Sequence, residues 1–125
     1  MPTRTLATVA LALPLAACAT DTIDPDSPRA ATELAIAPYE FHEECAELRA
    51  GDRYDYRFES KAPVNFEIYY RDGVAYIATV SRQDTTEFSG VFSAPAARRY
   101  CLRWEAGREG ALVDFRIRLL RAGAS

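Results

Sequence analysis

The sequence predicts an all-β domain, an antiparallel β-sandwich of jelly-roll type with seven to eight strands and one disulfide. Three observations carry this. Apolar residues recur with a period of two from Leu34 onward. Turn-forming residues interrupt that alternation at short intervals. Two cysteines, Cys45 and Cys101, stand inside the alternating region. Alternation over short runs is the mark of half-buried strands, and regular turn signals between such runs indicate a sandwich. The chain has 125 residues, enough for one such domain after a leader is removed.

The leader comes first. Arg4 supplies a short positive start, and Leu6 to Ala17 is apolar except for Thr8 and Pro14. This is the layout of a secretory signal peptide, expected over residues 1–17, and it is too short for a transmembrane helix. It ends in Leu15-Ala16-Ala17-Cys18. That run resembles the lipobox of bacterial lipoproteins: a leucine, two small residues and a cysteine. The resemblance implies that the Cys18 thiol takes a diacylglyceryl group and that cleavage falls between Ala17 and Cys18. The freed amine would then be acylated. Two or more acyl chains, palmitate among them, give stable anchoring, because each buried methylene contributes about 0.8 kcal/mol. Ala19 follows the cysteine where an inner-membrane retention signal would place aspartate. The expected location is therefore the bacterial cell envelope, at the outer rather than the inner membrane.

Residues 18–34 are expected to form the lipidated end and a flexible tether. Asp21, Asp24, Pro25, Asp26, Ser27 and Pro28 favour an extended, solvated chain. Its reach as a coil is on the order of 20 Å.

The β-domain is expected over residues 35–121. Tyr54, Tyr56 and Phe58 alternate with Arg53, Asp55, Arg57 and Glu59. Val64, Phe66, Ile68 and Tyr70 alternate with Asn65, Glu67, Tyr69 and Arg71. Val113, Phe115, Ile117 and Leu119 alternate with Asp114, Arg116 and Arg118. Weaker strand signals cover residues 74–81, 87–93 and 98–105, the last with Tyr100, Leu102 and Trp104 on one face. Gly51-Asp52, Ala62-Pro63 and Gly107 to Gly110 read as turns. Asp72-Gly73 reads as a type I′ hairpin, which needs positive φ at both central residues. Residues 43–48 have the composition of a single helical turn. Trp104 is expected in the core.

Export places Cys45 and Cys101 in an oxidising compartment, so a disulfide is expected between them. Closing a loop of this length is worth roughly 4 kcal/mol on the chain-entropy model. Cys101 is out of phase with Tyr100, Leu102 and Trp104, so the bridge is expected to clamp the segment around Cys45 onto the outer face or the edge of a sheet rather than through the core. The rival for this segment is a metal site built on His42-Glu43-Glu44-Cys45. With one histidine in the chain and no Cys-x-x-Cys, no metal and no other cofactor is expected.

Charge and motifs narrow the function. Beyond Arg4 the chain carries fourteen basic and eighteen acidic residues, a formal charge of −4. An acidic domain of this size is a poor nucleic-acid binder. A lone histidine, no Gly-x-Ser-x-Gly and no phosphate loop speak against catalysis, and no catalytic residue is assigned. Asn65, Glu67, Tyr69 and Arg71 form the candidate binding face, since an aromatic ring among polar groups suits sugar or protein recognition. Arg53, Arg57, Arg103, Arg116 and Arg118 make a possible basic stripe, although nearby carboxylates favour cross-strand ion pairing.

The order of these positions also resembles a known family. Phe41 precedes Cys45, and Glu47, Leu48 and Gly51 follow it. Then come Phe58, the Val64-x-Phe66-x-Ile68 strand, Gly73, Phe88 and Phe92, Tyr100-Cys101-Leu102, and Val113, Phe115 and Ile117. This pattern, over about residues 36–120, is similar to the GOLD domain of the p24 cargo receptors. The resemblance implies a β-sandwich, a disulfide between the matching cysteines, and a role in protein interaction. The p24 receptors follow the domain with a coiled coil and a transmembrane helix; neither is expected here, so cargo traffic is not expected to carry over. Bacterial pre-peptidase C-terminal domains share a similar layout.

The expected function is thus a non-enzymatic, lipid-anchored envelope lipoprotein. Its domain binds a partner, expected to be an envelope protein. The alternative is a secreted or anchored inhibitor or protective factor for an envelope enzyme.

Overall fold

A computed structural model describes residues 27–123. The expected signal peptide, its cleavage point at Ala17 and Cys18, and the lipidated Cys18 lie outside the described residues. The described chain is all-β and antiparallel. Its strands are β1 (Arg29–Ile36), β2 (Phe41–Leu48), β3 (Arg53–Asp72), β4 (Ala75–Ser93), β5 (Arg98–Ala106) and β6 (Ala111–Leu120). β1 opens at Arg29, inside the segment read as tether.

Six strands stand where seven to eight were expected, because two pairs of runs are each one long strand. β3 spans twenty residues and β4 nineteen. The expected turn at Ala62-Pro63 is instead a bend within β3. On one edge, Arg53 to Ser60 pairs with β6, and Val64 to Tyr69 pairs with β5. Pro63 sits at the change of partner. Its missing N–H costs nothing there, since neither ladder runs through it. On the other edge β3 pairs with β4, with a register shift between Glu59 and Val64. β4 compensates at Asp84, a non-glycine residue at φ 54°, whose N–H donates to the Asn65 side-chain oxygen at 2.9 Å.

The result is one sheet in order β1-β6-β3-β5-β2, with β4 alongside β3, curled into a half-barrel. β5 and β6 share no ladder, yet Trp104 on β5 stacks on Phe115 of β6 with ring centroids 4.7 Å apart. The two arms of the sheet therefore face each other across one core. Tyr54, Tyr56, Phe58, Phe66, Ile68, Tyr100, Leu102, Trp104, Ile117 and Leu119 fill it. Gly90 lies on this inner face, where a Cβ would come within 2.9 Å of the Tyr56 hydroxyl.

The free ends of the curl meet at Glu44. This buried β2 carboxylate accepts from Arg29 Nε of β1 at 3.1 Å and lies 2.9 Å from His42 Nε2. Arg29 thus links the first strand of the sheet order to the last.

Two local expectations need correction. Residues 43–48 are not a helical turn: all six lie in β2, paired with β5 from Phe41↔Glu105 to Leu48↔Arg98. Their Glu, Ala and Leu content favours helix, and the ladder overrides that weak preference. The hairpin closes one residue later than expected. Asp72 pairs with Ala75, so Gly73 and Val74 are the central residues, and only Gly73 has positive φ, at 61°. That is the type II′ pattern rather than type I′.

At the opposite end, buried Asp52 ties the β2–β3 turn to the segment after β6. Its carboxylate accepts from the N–H of Arg49 at 2.8 Å, the N–H of Ala122 at 2.8 Å and Arg121 Nη1 at 2.7 Å. Burial raises the carboxyl's pKa, but these donors and the Arg121 charge outweigh it and hold it at about 2.

Candidate functional site

Strand alternation decides which side chains share the outer face of the β5 arm. Along β3 these are Asn65, Glu67, Tyr69 and Arg71, the four residues of the predicted binding face. In the ladders, Tyr69 lies opposite Cys101, which lies opposite Cys45. One rung on, Glu67, Arg103 and Glu43 align across β3, β5 and β2. The next rung aligns Asn65, Glu105 and Phe41. Across the other edge of β3, Arg71 pairs with Tyr76 of β4.

The Cys45–Cys101 disulfide forms on this outer face, as a cross-strand bridge between β2 and β5. With Tyr69 it makes a small buried cluster separate from the main core. Tyr69 is only 4% exposed. Its hydroxyl donates to Glu43 Oε1 at 2.7 Å, and its ring stacks on Tyr76 with centroids 4.3 Å apart. Burial pushes the Tyr69 phenol up to about 12, and the hydrogen bond to Glu43 and that carboxylate's charge push the same way. The Tyr76 hydroxyl donates to Glu67, and burial together with this carboxylate raises its pKa as well. The Arg71 guanidinium covers both rings, 5.9 Å from the Tyr69 centroid and 5.4 Å from that of Tyr76.

Arg103 occupies the middle of the face. Its Nη2 donates to Glu105 at 3.2 Å, its Nη1 lies 4.0 Å from Glu43, and its guanidinium sits 4.0 Å over the Phe41 ring. Beside it lies a shallow hollow of about 300 Å³ lined by Asn65, Glu67, Tyr76, Gln83, Arg103 and Glu105. Carboxylates, amides, one guanidinium and one aromatic edge offer hydrogen bonds and a flat apolar surface. That combination suits a polar ligand or a protein loop.

The four predicted residues therefore share one face but differ in role. Glu67 lines the hollow and Arg71 covers the rings. Asn65 also holds the β4 backbone at Asp84. Tyr69 is an inner support, and the ring presented to solvent is Tyr76, 38% exposed. Sequence reasoning missed Tyr76, Glu43, Phe41 and the central place of Arg103. Either hairpin register places Tyr76 on this face, opposite Tyr69 with a turn at Asp72-Gly73 and opposite Arg71 with the observed one, so the hairpin signal could have found it.

Alternation also separates the residues of the rival metal site. His42 and Glu44 point inward, and Glu43 and Cys45 outward. The ligand atoms of Glu43, Cys45 and Cys101 lie within 4.8 Å of one another, but both sulfurs are bonded to each other and neither offers a thiolate.

The basic stripe divides between the two arms. Arg103 belongs to the face just described. Arg53, Arg57, Arg116 and Arg118 lie on the outer face of the β6 arm, where Arg57 stands directly opposite Arg116. Among the described residues, these four arginines make no ion pair within 4.0 Å, so the cross-strand pairing expected there does not form. Trp104 lies in the core, as expected.

This chain matches no protein-family model and no curated protein sequence.

Proposed function

We propose that this protein is a lipid-anchored lipoprotein of the bacterial cell envelope, and that its β-domain is a non-enzymatic binding module. The lipobox-like Leu15-Ala16-Ala17-Cys18 supports the anchor, and Ala19 favours the outer membrane. The facing arms of the curled sheet support reading the fold as a β-sandwich of GOLD or jelly-roll type. The observation that carries the binding role is the outer face of the β5 arm. There a stacked Tyr69–Tyr76 pair is backed by a disulfide and ringed by Glu43, Glu67, Arg71 and Arg103. A surface so braced loses little side-chain entropy on binding. Its partner is a protein of the envelope, engaged through hydrogen bonds to the carboxylates and guanidinia and through the exposed edge of Tyr76.

A second reading, an inhibitor of an envelope enzyme, is favoured by one feature. The β3–β4 hairpin ends in a fully exposed Val74 next to Gly73, a small apolar tip of the kind that enters a cleft.

The anchor is tested by fractionating cells that make the wild type or Cys18→Ser, with metabolic labelling by a fatty-acid analogue. The wild type should be labelled and membrane-bound. The variant should be unlabelled and either unprocessed or soluble. A labelled Cys18→Ser protein refutes the lipobox assignment.

A further inference from the structure

We propose that the protein self-associates through the edge of β4, residues 87–93, pairing with the same segment of a second copy. Among the described residues β4 pairs with β3 alone, so its other edge presents unpaired N–H and C=O groups. Such edges are normally guarded by lysine, proline, a bulge or an inward charge. The two halves of β4 differ in this respect. The first half is guarded: the Arg82 guanidinium lies 4.5 Å over the Phe88 ring, Asp84 has positive φ, and the pairing shifts register three times between Glu59 and Tyr69. The second half carries such a device only at its start, where the same Arg82 covers Phe88 and the Glu87 carbonyl accepts from the Thr85 hydroxyl at 2.9 Å; residues 89–93 have none. Glu87 to Ser93 pairs with Arg53 to Glu59 without a shift, and residues 88–93 (Phe-Ser-Gly-Val-Phe-Ser) contain no charge and no proline. Val91 is 59% exposed on its outer side.

The segment is also complementary to itself. An antiparallel two-fold axis through Gly90 sets Phe88 opposite Phe92, Ser89 opposite Val91 and Glu87 opposite Ser93. No like charges meet. The two inward-facing phenylalanines continue the inner layer across the junction, and Val91 gains the partner's Ser89 as its cross-strand neighbour on the outer face. Such a contact is isologous and closes as a dimer. Each copy brings a four-stranded arm, β1-β6-β3-β4, so the joined sheet is continuous.

The test is sedimentation equilibrium of the full chain in detergent, comparing wild type with two variants altered only at the outward positions. Wild type should be a dimer. Ser89→Lys/Val91→Lys places lysine opposite lysine twice and should weaken association on the order of tenfold or more. Ser89→Glu/Val91→Lys places glutamate opposite lysine twice and should restore the dimer. Thermal melts check that each variant is folded. A wild type that stays monomeric up to about 1 mM overturns the proposal. So does a double-lysine variant that remains dimeric, or a Glu/Lys variant that does not recover. A monomer whose β4 edge crosslinks in cells to a different protein would replace the second copy with that partner.

Discussion

Replacing Asp52 by asparagine tests the most concentrated interaction in the fold. Asp52 is fully buried and accepts from two backbone N–H groups and from Arg121. An unfolded aspartate protonates near 3.8, and the folded carboxyl is held at about 2. That difference contributes on the order of 2 kcal/mol at neutral pH. Asparagine keeps the shape but turns an N–H toward groups that donate, so one buried donor also loses its acceptor. The total cost is about 3 kcal/mol, which for a domain of this size lowers Tm by roughly 10–20 °C. The pH dependence has a definite sign. Because the folded pKa is depressed, the carboxylate's contribution is complete above about pH 4 and is lost as pH falls towards 2. The assay is urea denaturation of wild type and Asp52→Asn, unreduced, at a series of pH values. The stability difference should be largest at neutral pH and shrink between pH 4 and 2. A variant whose unfolding free energy in urea at pH 7 lies within about 0.5 kcal/mol of wild type would refute the reasoning. So would a difference that stays constant through the acid range.

Three further outcomes are expected. Cys45→Ala/Cys101→Ala should lower stability by roughly 4 kcal/mol in urea titrations. A loss below about 1 kcal/mol would mean that the surrounding ladder, not the bridge, holds β2 to β5. Glu44→Gln should cost about 2–3 kcal/mol, because it removes the charge that Arg29 and His42 share at the closure of the curl; hydrogen exchange should show the loss first in β1. Tyr69→Phe keeps the stack on Tyr76 but deletes the hydroxyl donated to Glu43, costing about 1 kcal/mol. An unchanged urea midpoint would show that solvent satisfies Glu43 equally well.

The all-β class, most strand positions and the disulfide were legible because a period of two leaves its mark directly on apolar residues. The partner switch inside β3 was not. Pro63 in the sequence looks like a turn, and nothing local says that a strand continues through it from one arm to the other. The bulge at Asp84 hides in the same way, since its stabilising contact comes from Asn65, nineteen residues earlier. β2 was obscured for a different reason. Its inward positions include His42 and Glu44, so the polar and apolar alternation fails where the Glu44 carboxylate is buried. At the candidate site, the four residues on β3 could be read from alternation within one strand. Tyr76 could have been read from the β3–β4 hairpin, but Arg103 and Glu43 could not, because their place depends on the β3–β5 and β2–β5 registers.

The central claim is that the braced outer face of the β5 arm binds an envelope protein. Site-specific photocrosslinking in living cells tests it most directly, with the probe at Arg71, at Tyr76, or at Asp55 on the other arm. The account predicts one recurrent envelope protein captured from Arg71 and Tyr76 and absent from Asp55. Equal capture from Asp55, or no adduct above background from Arg71 and Tyr76, would contradict it.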